Sequence, residues 1–183
     1  AANLAGEWFL ATGSGKFFRN VPLNPEDCLC LVELNETGDS YRLRWGLCNG
    51  GKPTSELAPH MINHSVRKAA TGGACRVMYH AHPAHIVALT FLEDLTAKAG
   101  SKKMKWYDSV VWAHHGLSAS GPDYDTAFGL MHTVEKAAQV RVLVTNAGGA
   151  KQLITDDEIR AIAEGCGVQI RAEVLQCVKR LAV

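Results

Sequence analysis

Three of the chain's eight histidines fall within six positions in RVMYHAHPAH, residues 76 to 85, directly after an apolar run. VVWAHHG, residues 110 to 116, repeats the arrangement: an apolar strand-like run ending in histidine. On a strand, residues two apart point to the same face, so His80 and His82 project together. Paired imidazoles at that spacing suit a borderline metal such as zinc, and a catalytic zinc takes three protein ligands and keeps one position open. The third ligand is expected from the second strand end. Neighbouring residues point to opposite faces, so only one of His114 and His115 can join. His85, beyond Pro83, falls out of register with the pair. The bland alternative is that these are ordinary strand-end histidines with satisfied hydrogen bonds.

Other residues offer weaker chemistry. Glu56, His60 and His64 stand at i, i+4 and i+8, on one stripe of an expected helix. Such a stripe is more often a polar helix face than a ligand set. ATGSGKFF, residues 11 to 18, is glycine-rich and follows a short apolar run, so exposed N–H groups and a serine hydroxyl make a phosphate cradle conceivable. It lacks the spacing of a P-loop or of the dinucleotide fingerprint, and alone it reads as a tight turn. GLSASG, residues 116 to 121, lacks the nucleophile-elbow spacing.

The elements that must position these residues form an α/β pattern. DCLCLVEL and YRLRWGL read as strands joined through NETGD in a hairpin. Cys28 and Cys30 would share one buried strand face. KPTSELAPHMINHSVRKAA, residues 52 to 70, reads as a helix with Pro53 near its start, Thr54 or Ser55 as cap and Glu56 in its first turn. CRVMYHAH is a strand, AHIVALTFLEDLTAKAGSKKMKW is mostly helix-compatible, and SVVWAHH is a further strand. GPDYDTAFGLMHTVEKAAQVRVLV reads as a long helix with Asp123 and Asp125 at its favourable end. TDDEIRAIAEG carries a capping box, Thr155 with Glu158, and a glycine stop. No repeat, low-complexity tract or linker interrupts the chain, so residues 1–183 are expected to form one domain.

A formal net charge of +1 leaves no electrostatic footprint for nucleic acid or an anionic membrane. The basic cluster SKKMKW, residues 101 to 106, reads as a solvated helix face. No apolar run approaches the roughly 18 residues of a membrane span, and AANLAGEWFLATGSGK lacks the regions of a signal peptide. Six scattered cysteines without a C-x-x-C favour reduced thiols and a cytoplasmic protein.

Taken together, TGSGKFFRNV, WGLCNGGKPTSELAPH, RVMYHAHPAHIVALT, VVWAHHG and the SGP…DTAFGL…EKAAQV pattern resemble the class II aldolase family, in the same order from about Asn3 to about Val168. The resemblance implies a central, largely antiparallel sheet flanked by helices. It also implies a homotetramer with sites near subunit boundaries, holding one zinc ion per subunit. The implied activity is retro-aldol cleavage of a ketose 1-phosphate, a small sugar phosphate, to dihydroxyacetone phosphate and L-lactaldehyde. Carried over by motif, the metal ligands fall on His80, His82 and His115, the histidine directly before the glycine. Glu56 of TSEL becomes the acid/base, and phosphate contacts fall on Ser14, Gly15, Thr54 and Ser55.

The chain departs from the family pattern twice. It begins at AANLAGEW, without the N-terminal portion that carries an Asn/Gly-rich phosphate loop. FLEDLTAKAGSKKMKWYD stands where the family runs several dozen residues longer and carries a second catalytic glutamate, which acts across the subunit boundary. Two alternatives follow: an epimerase or dehydratase working on another sugar phosphate with the same histidines, or a non-catalytic scaffold if those segments are truly deleted.

Overall fold

The computed structural model describes residues 1–93, 103–170 and 175. These group into two compact units, Ala1–Val142 and Leu143–Val183. The first contains two antiparallel three-stranded sheets and every candidate site residue.

In the first sheet β1 (Trp8–Thr12), β2 (Leu29–Leu34) and β3 (Tyr41–Gly46) lie in chain order. The β2–β3 turn is the expected one. The Asn35 side-chain oxygen accepts the Asp39 and Ser40 N–H groups, and its amide nitrogen donates to Thr37 and Asp39. Along β2 alternate residues are buried, so Cys30, Val32 and Leu34 face inward. Cys30 and Val32 pack with Leu47 and with Leu57 of helix α2 (Leu57–Thr71). Cys28 is also buried, but it ends a short helix, α1 (Pro25–Cys28), rather than sharing the strand with Cys30.

Helix α2 starts at Leu57, one or two residues after the start that a Thr54 or Ser55 cap gives. Gly13 and Pro53 form a bridge, Thr54 N–H donates to Thr12 O, and Ser14 N–H donates to Lys52 O. These bonds keep residues 52–54 extended beside 12–14, so the helix begins only at Leu57, with Glu56 in the cap position.

The second sheet has the order β4 (Val77–Ala81), β6 (Gly116–Gly121), β5 (Ser109–Trp112). Its central strand is GLSASG, a stretch with no strand signal in its composition, since glycine, serine and alanine lack the side chains that favour pleated surfaces. Small residues are required there. Every residue of β6 is buried, and a Cβ on Gly116 would stand 2.3 Å from Ala81 O and 2.8 Å from the His82 ring. Leu117 and Ala119 form a core with Ile86 of α3 (Ala84–Leu92) and with Met131 and Ala138 of α4 (Tyr124–Asn146).

Of the basic cluster, residues 101 and 102 lie outside the described residues. Met104 is fully buried, so the segment is not a wholly solvated face. In the second unit α5 (Asp156–Gly165) carries the capping box, with both reciprocal Thr155–Glu158 bonds formed. No described helix is long and apolar enough to cross a membrane.

Candidate metal centre

Three imidazoles converge at one end of the second sheet's strands. His80 lies on β4, His82 just beyond its end, and His115 in the turn joining β5 to β6. One ring nitrogen from each lies within 4.8 Å of the others. The Nε2 atoms of His80 and His82 are 3.1 Å apart. Two nitrogens bound tetrahedrally to one zinc, each at about 2.0–2.1 Å, are separated by roughly 3.3 Å, so the spacing fits a shared ion.

The chemistry of the donors fits as well. His80 Nδ1 lies 3.1 Å from Leu117 O. Only an N–H can pair with a carbonyl oxygen, so the proton sits on Nδ1 and the Nε2 lone pair faces the cluster. Ser118 Oγ stands 3.3 Å from the same Nδ1. Burial pushes the His80 imidazole down to about 4, against the pull of Glu56 and aided by His82, His115 and His60. The ring is therefore neutral near pH 7, the form a metal requires. His115 Nε2 is out of solvent and has no hydrogen-bond partner among the described residues. A buried imidazole nitrogen without a partner is costly unless something binds it.

His114 points elsewhere. Its N–H donates to Thr90 Oγ1 at 2.9 Å, its ring lies 4.2 Å from the Phe91 ring, and its backbone occupies the left-handed region at φ 58°. His115 N–H closes the turn onto Trp112 O at 3.1 Å. Of the two neighbours, it is His115 that the turn brings to His80 and His82.

Glu56 approaches from the first sheet's side, its Oε1 3.8 Å from His115 Nε2. Its own N–H donates to Thr54 Oγ1 at 3.2 Å, which fixes the carboxylate's base. Of the four expected phosphate residues, Ser14 and Gly15 lie on one side of the antiparallel pairing of 12–14 with 52–54 and Thr54 and Ser55 on the other, with Ser14 opposite Lys52 and Thr54 opposite Thr12. Two of these four backbone donors are already spent, Ser14 N–H on Lys52 O and Thr54 N–H on Thr12 O. The donors left over are the Gly15 and Ser55 N–H groups and the three hydroxyls.

The rival stripe stays outside the triad. His60 and His64 are both held down by burial, His60 against the pull of Glu56 and His64 to about 4. His64 packs on Phe9. His80, Glu56, Thr54 and His60 border a cleft of about 1200 Å³ that Leu10, Phe18 and Phe128 also line. His82 borders a smaller hollow of about 250 Å³ with Pro83, His132 and Glu135.

No family model matches the chain. Its sequence is, however, 37% identical over 201 residues to rhamnulose-1-phosphate aldolase from Mannheimia succiniciproducens, covering 90% of this chain and 74% of that protein. It is 39% identical over 201 residues to rhamnulose-1-phosphate aldolase from Pectobacterium carotovorum, covering 90% and 73%. The chain belongs to the rhamnulose-1-phosphate aldolase family. These alignments run over 201 positions while the chain has 183, so the relatives carry residues within the matched span that have no counterpart here. The fold agrees. A sugar-phosphate aldolase from Thermotoga maritima superposes with a TM-score of 0.62 at 24% identity, over 78% of this chain and 74% of that one. An L-fuculose 1-phosphate aldolase superposes with 0.59 at 20% identity, over 87% and 80%. The antiparallel α/β architecture expected from the sequence is thus that of the class II aldolases.

Sequence reasoning passed over Leu117 and Ser118, which orient His80, and Thr90, which takes up His114. A carbonyl oxygen or a lone buried hydroxyl gives no sequence signal. The glycine after the histidine doublet was the one available clue, and its role is steric.

Proposed function

We propose that this chain is a zinc-dependent lyase that reversibly cleaves L-rhamnulose 1-phosphate to dihydroxyacetone phosphate and L-lactaldehyde. The observation that carries the proposal is the convergence of His80, His82 and His115 on one point, with the Glu56 carboxylate 3.8 Å from His115. In this reading the three histidines hold the ion, Glu56 is the catalytic acid/base, and Ser14, Gly15, Thr54 and Ser55 hold the phosphate.

Breaking a carbon–carbon bond beside a carbonyl sends the bonding pair into an enediolate, and a bound divalent cation supplies Lewis-acid stabilisation of that charge. The chain's own residues do the rest. The hydroxyl that becomes the aldehyde carbonyl must lose its proton, and the enediolate carbon must gain one to give dihydroxyacetone phosphate. In this reading the Glu56 carboxylate carries that proton as general acid and base. The Gly15 and Ser55 N–H groups and the hydroxyls of Ser14, Thr54 and Ser55 donate to the phosphate, which anchors one end of the substrate and converts its binding into orientation. Ser55 stands just ahead of α2, whose N-terminal dipole favours an anion.

The reading extends to a cytoplasmic homotetramer whose subunit is a single catalytic domain. Support for assembly comes from large side chains left exposed in the single chain, among them Trp8, Phe17, Phe18 and Phe128. The buried, unpaired Cys28 and Cys30 suit a reducing compartment.

The test is release of dihydroxyacetone phosphate from L-rhamnulose 1-phosphate by the purified chain, before and after chelation and zinc reloading. Turnover that is lost on chelation and restored by zinc supports the proposal. Turnover of L-fuculose 1-phosphate or a ribulose phosphate instead would favour the related aldolase or epimerase reading. Tight zinc binding with no turnover of any sugar phosphate would favour the scaffold.

A further inference from the structure

Helix α3 touches the chain one residue away from two of the three histidines. At its start Glu135, midway along α4, accepts the backbone N–H groups of His85 and Ile86, each at 3.0 Å, and pairs with His85 Nδ1 at 2.8 Å. The first N–H groups of a helix have no partner within it, and Pro83 in the cap position provides no side-chain bond. Glu135 therefore caps α3 from a distant element. Burial pushes the Glu135 carboxyl up, but the His85 and Ile86 bonds outweigh it and hold it below the ordinary carboxylate range. Pro83 directly follows His82, so the capped end of the helix fixes where the chain turns after that histidine.

At the other end Thr90 is buried. Its hydroxyl donates to Val87 O at 2.7 Å and accepts the His114 N–H at 2.9 Å. The Phe91 ring covers His114. His114 directly precedes His115, and its left-handed backbone is what swings the doublet around. Ile86, whose N–H the first clamp holds, is packed into the core with Leu117 and Met131, which fixes the rotation of the helix.

We propose that α3 is a strut between two arms of the metal centre, with Thr90 and Glu135 as its positioning residues. Among the described residues neither is hydrogen-bonded or ion-paired to the three histidines. Each holds a neighbour, so that His82 and His115 arrive at His80 with their separation already set. The inference rests on the metal reading above. Outer-shell partners of metal sites commonly matter by about 10–100-fold in affinity or activity, and these two stand one step further out.

The experiment is titration of the chelated protein with cobalt(II), followed by visible absorption of the bound ion. Thr90→Val keeps the shape and removes the hydroxyl. It is expected to weaken cobalt binding about tenfold and to move the spectrum toward that of His115→Ala. Thr90→Ser should restore both. Glu135→Gln should weaken binding and move the spectrum toward that of His82→Ala. A folded Thr90→Val protein with wild-type affinity and spectrum would overturn the strut, even if its melting temperature fell. Should Thr90→Val fail to fold, unchanged cobalt affinity and spectrum in Glu135→Gln would overturn it equally. A wild-type chain that binds no cobalt would overturn the metal reading itself, and the strut with it.

Discussion

In the β4–β6 sheet the histidines stand on a frame with almost no slack. Every residue of β6 is buried, Gly116 has backbone and the His82 ring pressed against it, and His80 is tethered through Nδ1 to a carbonyl of the adjoining strand. The β1–α2 side is built differently. There Ser14 and Ser55 are exposed, and a Cβ on Gly15 would meet nothing within 4 Å. One half holds its histidines on a closely packed frame, as the proposed metal role requires. The other presents donors on an open turn, which suits the phosphate that the proposed function assigns to it, since a phosphate brings its own charge and three acceptor oxygens. Rigidity follows the coordinate that the chemistry cannot forgive.

The contrast can be broken most severely at a ligand. His82→Ala is expected to abolish both zinc binding, by metal analysis after dialysis, and cleavage; full activity would sink the assignment. Next is Glu56→Gln, which should keep the metal while the rate falls by about 10²–10⁴-fold. An unchanged kcat would remove Glu56 from its acid/base role. Gly116→Ala probes the frame without touching a donor. The added methyl meets Ala81 O at 2.3 Å, so thermal denaturation should show a loss of about 1–3 kcal/mol, with weaker zinc binding. A stability equal to wild type would mean that the frame yields where the static contacts say it cannot. The smallest effect is expected on the open side: Ser14→Ala should raise KM several-fold and leave zinc affinity and melting temperature alone. If Ser14→Ala altered the metal instead, the two halves would not be separable in the way described.

Much of this was legible in the sequence, for physical reasons that differ by element. The β2–β3 hairpin announced itself through alternation and an Asn-Gly-Asp turn, and α5 through a capping box, because both are local devices. The H-x-H pair was legible because strand geometry has period two. Strand β6 was not, since its identity depends on being squeezed between β4 and β5 and not on any preference of Gly, Ser or Ala. The start of α2 was misplaced because the bridge of Pro53 to Gly13, some forty positions away in the chain, overrides a local capping signal. Spacing left the choice between His114 and His115 open, and the family resemblance pointed to His115. In the structure, the φ of 58° at His114 and the hydroxyl of Thr90 turn the two rings apart.

The turning away of His114 has a consequence for coordination number. A zinc ion closed by four side chains is a structural rivet with no vacancy for a reactant, whereas three ligands leave one. The chain carries a fourth imidazole directly beside the third, and it faces away from the other three. Thr90 and Phe91 occupy its backbone and ring. On the proposed reading, the doublet therefore offers the ion one ligand and leaves the fourth position to a reactant.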